Sequence, residues 1–197
     1  MENKRKRIGI FGGTFNPPHL GHLIVAEHVQ SMLSLDTIYF VPSFISPHKR
    51  RGEETLAAHR LKMVRLAVGN RKEFNASDIE ILAKGTSFTY ATVEAFRRRF
   101  KGAKLFLLIG ADNFVEFQEW KFPERIVRQA TLVVMTRPDY DPRASKSVFS
   151  SSAKFLRVPH IEISSTDIRR RIKQGKTIDH LVPEKVRKYI AQHRLYQ

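Results

Sequence analysis

His19 and His22, separated by Leu20-Gly21, directly follow the run Ile8-Gly-Ile-Phe11-Gly12-Gly13-Thr14. Imidazole donates a hydrogen bond when neutral and a stronger one when charged, and it changes state near physiological pH. Two such rings three residues apart can face one anion, and phosphate is the chemistry they suit. Ile8 to Phe11 reads as a buried parallel strand. Gly12 and Gly13 are expected to form a tight turn where a Cβ would clash, and Gly21 to allow close approach of backbone and ligand. His22 to Leu33 reads as a helix, which puts His22 in a first turn whose unpaired N–H groups and positive dipole end attract anions. Two surface histidines beside a glycine turn are the ordinary alternative. Their place between a strand and a helix favours the phosphate reading.

A second candidate anion site lies at Ser164-Ser165-Thr166, just before a helix expected over Thr166 to Gln174. Its hydroxyls and first-turn N–H groups could cradle phosphate, although Ser-Ser-Thr before a helix is ordinarily a plain N-cap. Arg169, one turn in, could reach a β- or γ-phosphate. Asp167 is expected to face solvent, and Arg170 and Arg171 to point elsewhere by the ~100° step of the helix.

These groups need a frame. Strand-like runs recur at Ile8 to Phe11, Thr37 to Val41, Ser77 to Leu82, Lys104 to Ile109, Ala130 to Met135 and Phe155 to Ile163. Helical patterns fall at His22 to Leu33, Leu56 to Val68, Thr89 to Phe100 and Phe122 to Gln129, and Thr166 to Gln174 and Glu184 to His193 close the chain. This alternation predicts an α/β fold: one Rossmann-like, doubly wound domain over 1–197, with a central parallel sheet and helices on both faces. The helical part from about 165 to 197 should pack on it. Ligands then bind outside the carboxyl ends of the strands, where the turns after Phe11 and at Gly110 lie. Ser145 to Lys154 reads as a loop.

With 197 residues, 42% of them hydrophobic and no apolar run near the ~20 that a membrane helix needs, the chain reads as a globular cytoplasmic protein. The absence of cysteine excludes disulfides, thiol catalysis and cysteine-based zinc sites. A net charge of +16 would suit a nucleic-acid-binding module, the rival class. Its basic runs are dispersed, however, and no recognition-helix, zinc-finger or stacking-aromatic motif accompanies them. They read mostly as solvated faces.

The stretch Gly12-Gly-Thr-Phe-Asn-Pro-Pro-His19-Leu-Gly-His22 resembles the signature of the H-x-G-H nucleotidyltransferase superfamily, and its Pro-Pro form resembles bacterial nicotinate-mononucleotide adenylyltransferases. Ile163-Ser-Ser-Thr-Asp-Ile-Arg169 is similar to that family's second motif. Ile109-Gly-Ala-Asp-Asn-Phe114, Trp120-Lys-Phe-Pro-Glu-Arg-Ile126 and the ending Val182 to Tyr196 resemble its middle motifs and C-terminal helix. The resemblance covers nearly the whole chain in order.

It implies adenylyl transfer from ATP, with Mg²⁺, to nicotinate mononucleotide, giving nicotinate adenine dinucleotide and pyrophosphate in NAD biosynthesis. The attacking group is a phosphate monoester, already ionised at neutral pH, so alignment and charge neutralisation suffice without a general base. By resemblance, His19 and His22 hold the ATP phosphates, His22 the α-phosphate, and Lys49 in the loop after Val41-Pro42 swings onto the polyphosphate. Thr14 and Phe15 line the first turn, where backbone N–H groups would meet the accepting mononucleotide. Gly85-Thr-Ser87-Phe-Thr89 resembles a loop whose N–H groups bind the pyridine carboxylate. Trp120 stacks on the pyridinium ring, and Asp112 accepts from a ribose hydroxyl, with helix capping as its ordinary role. Asn16 and Ala91 stand where relatives commonly carry aspartate. Pantetheine-phosphate adenylyltransferase, similar at the histidine and serine motifs, is the alternative; no specific nucleic acid, no membrane and a homo-oligomer are the expected partner pattern.

Overall fold

The computed structural model describes residues 5–45, 54–136 and 147–197. Six strands form one all-parallel sheet in the order β3-β2-β1-β4-β5-β6. They are β1 (Arg7–Gly13), β2 (Thr37–Pro42), β3 (Phe74–Ala76), β4 (Lys104–Gly110), β5 (Thr131–Thr136) and β6 (Ala153–Arg157). The helices are α1 (Leu20–Leu33), α2 (Glu54–Val68), α3 (Ile79–Ala83), α4 (Thr89–Arg99), α5 (Ala111–Val115), α6 (Pro123–Val127), α7 (Ser165–Lys173) and α8 (Glu184–Gln192). After β1 the chain winds one way to β2 and β3; from β4 it winds the other way. The reversal opens a crevice between the carboxyl ends of β1 and β4, the place where doubly wound sheets bind ligands.

Alternation along the central strands divides the core in two. Ile8, Ile10, Leu105, Leu107 and Ile109 pack on the face covered by α4, α5 and α6. Phe11, Phe106 and Leu108 pack on the opposite face with Leu23, Ala26 and Val29 of α1. A third cluster joins Met63 of α2 to Ile168, Val186 and Ile190 of α7 and α8. That contact carries the C-terminal helices back over the carboxyl end of β1. A Cβ at Gly9 would lie 2.9 Å from Ile38 Cγ1, so β1 and β2 approach only because that position has none.

Four expectations are corrected. Ser77 to Leu82 is not a strand. The sheet's edge is the three-residue β3, paired through Ile38 and Phe74, and Ile79 begins a helical turn that directs Glu80 inward to the Thr92 hydroxyl. The period-2 apolar pattern of Ile79-Glu80-Ile81 imitated a strand. The expected strand over Phe155 to Ile163 is instead Ala153–Arg157, aligned with β5 from Leu132 to Thr136. Ser147 to Lys154, within the expected loop, turns through a 3₁₀ segment at Ser150–Ser152 into β6 and buries Phe149. Finally, Gly12 and Gly13 belong to β1, in register with Val41 and Pro42, rather than to a turn.

Candidate active site

A cavity of about 640 Å³ fills the β1–β4 crevice. Gly12 and Gly13 of β1, Thr14 just after it and Gly110 of β4 line it, with Ser87 and Thr89 at the start of α4 and Trp120. A Cβ at Gly12 or Gly110 would meet no protein atom within 4 Å, so these glycines keep open the space a ligand would enter. The sharp turn falls at Phe15, where φ is +48°. The Phe15 side chain is buried, edge-on to Phe11 at 5.7 Å and to His22 at 5.0 Å, where it supports the histidine from below, and only its backbone is left to face a mononucleotide.

α1 begins at Leu20, two residues earlier than expected, so His19 is its N-cap residue and His22 its third. The two rings stack with centroids 3.6 Å apart. The His19 backbone N–H donates to His22 Nδ1 at 3.2 Å; a neutral ring that accepts at Nδ1 carries its proton at Nε2, leaving that donor for a ligand. Gly21 permits the stacking, because a Cβ there would lie 3.1 Å from His19 Nδ1 and 3.2 Å from Ile161 Cγ2. Desolvation lowers the His19 pKa to about 4; burial and then the neighbouring His19 lower that of His22 to about 3. Both rings are therefore neutral at pH 7 and present dipoles rather than charges.

The pair makes stability pH-dependent. In the unfolded chain the histidines titrate at their ordinary pKa, and in the folded chain well below it. Between those values the unfolded state binds more protons, so stability is full above pH 6.5 and falls as pH drops toward 4. Each histidine is expected to cost about 2 kcal/mol by pH 5. Denaturant midpoints at pH 7.5 and 5 should show that loss, and the double variant His19→Gln/His22→Gln should show much less; equal slopes would place the titration elsewhere.

The start of α7 is docked on the same loop. Ser164 is its N-cap, its hydroxyl accepting from the Asp167 N–H at 3.0 Å, which is the ordinary role of such a serine. Ser165 donates to the Pro17 carbonyl at 2.8 Å. Arg169 reaches across to the Asn16 carbonyl at 2.8 Å and to Thr166 Oγ1 at 3.3 Å. Asn16 is itself buried and accepts from the Tyr196 hydroxyl. The N-termini of α1 and α7 thus meet around residues 16–22, with the Leu20 N–H on the Leu181 carbonyl at 2.9 Å and the His22 N–H on the His19 carbonyl at 3.0 Å. Asp167 pairs with Arg170 at the surface, as expected.

Within the cavity, Trp120 packs on Phe117 at 5.2 Å, and its buried indole N–H has no partner among the described residues. Asp112 sits exposed in the first turn of α5, and its neighbours Gly110 and Asn113, rather than Asp112, line the cavity. It caps nothing, since α5 has Gly110 as its N-cap residue. Lys49 lies outside the described residues.

Sequence reasoning missed the polar network beneath this floor. Arg60 of α2, fully buried, donates to the carbonyls of Thr14 and Phe44 at 2.9 Å each. The Phe44 N–H donates to Ser87 Oγ at 2.9 Å, and Ser87 N–H to the Ile45 carbonyl at 2.9 Å. Glu80 lines the cavity and accepts from Thr92 and Ser87, with Arg60 nearby; burial nevertheless pushes its carboxyl pKa up. The network ties the segments after β1 and β2 to the start of α4. Glu80→Ala leaves two interior hydroxyls without their acceptor and should lower the unfolding free energy by about 1–3 kcal/mol. A denaturant midpoint equal to that of wild type would show the hydroxyls partnered elsewhere.

A profile of the family described as cytidylyltransferase-like matches residues 10–171. The chain is 36% identical to nicotinate-nucleotide adenylyltransferase of Bacillus subtilis, over 98% of this chain and 99% of that protein. It is 38% identical to a protein of Exiguobacterium sibiricum named a probable nicotinate-nucleotide adenylyltransferase, over 96% and 98% of the two chains. Nicotinic acid mononucleotide adenylyltransferase of Plasmodium falciparum, solved in complex with NaAD, superposes with a TM-score of 0.75 over 98% of both chains at 20% identity, which is likeness of fold. No helix among the described residues is long and apolar enough to cross a membrane.

Proposed function

The chain belongs to the cytidylyltransferase-like family, and from that premise we propose that it transfers the adenylyl group of ATP to nicotinate mononucleotide, releasing pyrophosphate and forming nicotinate adenine dinucleotide. The observation that supports this reading is the loop after β1, whose two ends lead to differently built places, Gly13 and Thr14 to the cavity and His19 to the head of α1. One end offers the stacked neutral histidines and two helix N-termini, a setting for a polyphosphate. The other offers Trp120 and the start of α4, a setting for a flat ring bearing a carboxylate.

In this reading the α-phosphate of ATP lies over His22 Nε2–H, with His19 and the first turn of α7 along the β- and γ-phosphates. Two fixed hydrogen bonds hold Arg169 beside them, and its remaining donors face the phosphates. Lys49 is retained as a further cation for them. The mononucleotide phosphate enters from the β1–β4 crevice beside Gly12, Gly13 and Thr14, attacks the α-phosphorus, and pyrophosphate leaves. Dipoles fixed by the fold meet the charge that builds on the α-phosphate oxygens, and no side chain need accept a proton. Trp120 stacks on the pyridinium, whose positive charge suits a neighbourhood that includes Glu116 and Glu119. Among the described residues no three His, Asp or Glu side chains converge, and neutral imidazoles are poor ligands for a hard cation. The metal is accordingly read as MgATP, part of the substrate.

The test is pyrophosphate release from MgATP with each acceptor supplied separately: nicotinate mononucleotide, nicotinamide mononucleotide and pantetheine phosphate. Nicotinate mononucleotide should be used best. No release with it, alongside release with pantetheine phosphate, would overturn the assignment.

A further inference from the structure

A large part of the +16 charge has no task in that chemistry. In an all-parallel sheet every strand begins at the same edge, opposite the ligand crevice. Here that edge is basic. Lys6 leads into β1, Lys101 and Lys104 into β4, and Arg128 into β5, while Arg98 and Arg99 end α4, which runs back to the same edge; all six are exposed. They form one patch. The Lys104 N–H bonds to the Lys6 carbonyl at 2.7 Å, and Arg97 links the end of α4 to the Gln129 carbonyl beside Arg128. β1, β4 and β5 are neighbours in the sheet, strands about 4.8 Å apart, so the segments that carry these cations lie side by side at its edge.

Counter-charge is sparse. The segment 97–104 contains no acid, and at the start of β1 the Asp36 carboxylate accepts from the Arg7 N–H at 2.7 Å. Favourable ends for the α4 and α6 dipoles would account for the arginines in the last turn of α4 and for Arg128, the C-cap of α6, but not for Lys6, Lys101 or Lys104. Like charges this close repel, a cost that an anionic partner would remove.

We propose that this amino-end face is a second binding surface, which grips the phosphodiester backbone of a nucleic-acid duplex without reading its sequence. Single-strand binding relies on exposed aromatic rings on which bases stack. The aromatic rings here, Tyr39 and Phe100, are half-buried beneath the Arg99 guanidinium at 5.8 and 5.2 Å, leaving cations alone on the surface. Such a surface contacts phosphates and is indifferent to bases.

The experiment is fluorescence anisotropy of a labelled 20-base-pair RNA duplex of mixed sequence between 50 and 200 mM salt, repeated with its single strand and with MgATP at saturation. Six phosphate contacts should make affinity fall by ~10³-fold across that range. The variant Arg98→Glu/Lys101→Glu/Lys104→Glu should lose roughly 100-fold in duplex affinity at 50 mM salt and flatten the salt dependence. Its adenylyl-transfer kcat/KM should be unchanged, which also reports that it is folded and keeps this test separate from that of the enzymatic reading. Binding that the variant retains, that MgATP abolishes, or that favours the single strand would overturn the proposal. So would failure to bind duplex together with capture by anionic phospholipid vesicles.

Discussion

His22→Ala is expected to cut kcat by about two to three orders of magnitude while leaving KM for nicotinate mononucleotide nearly unchanged. A donor aimed at the α-phosphate acts mainly on the charge that builds in the transition state, and losing one such donor costs rate more than binding. The structure sharpens the expectation. The His19 N–H occupies His22 Nδ1, so the group lost is the Nε2–H, and His22→Gln, whose amide places a donor near that atom, should restore part of kcat. His19→Ala should have a similar or milder effect, since His19 holds the His22 ring by stacking as well as facing phosphate itself. Steady-state kinetics on variants with wild-type circular dichroism decide the matter. A near-normal kcat for His22→Ala would remove His22 from the phosphate site.

The second large effect concerns the acceptor. Nicotinate mononucleotide should exceed nicotinamide mononucleotide in kcat/KM by about 2–4 kcal/mol, roughly 30- to 1000-fold. In the proposed site a carboxylate would accept from the N–H groups in the first turn of α4, whereas a carboxamide would turn one NH₂ toward them and leave donors unpaired. Trp120→Ala should weaken both mononucleotides and leave KM for ATP nearly intact, because Trp120 lines the cavity whereas His19 and His22 do not. Equal use of acid and amide by wild type would refute carboxylate recognition. An unchanged Trp120→Ala would make the residue a core packer on Phe117.

The sheet was legible because its signal is local: apolar runs of strand length alternating with helical periods, each bounded by turn residues. It failed at Ile79-Glu80-Ile81, where tertiary burial of Glu80 against Thr92 and Ser87 overrode a strand-like period. The histidine and serine motifs were legible as residue types at short spacing. How they are held was not, since Phe15 under His22 and Arg169 on Asn16 are contacts between segments with no periodic relation. Arg60 and Glu80 gave no signal at all. A lone arginine and a lone glutamate in helical segments read as surface, and their roles exist only once the segments after β1 and β2 and the start of α4 are brought together.

The hydrogen bonds from α7 and Tyr196 to Asn16 and Pro17 also set a timetable. They join residues 148, 153 and 180 positions apart, so the first strand and its histidine loop leave the ribosome long before the partners that fix them. At a synthesis rate of ~5–20 residues per second the loop waits roughly 10–40 s for Tyr196. During that time a nascent chain can pair β1 with β2 and β4 while Asn16 and Pro17 still lack these partners. Synthesis and assembly are thereby ordered: the contacts that fix Asn16 and Pro17 are complete only once Tyr196 has been made.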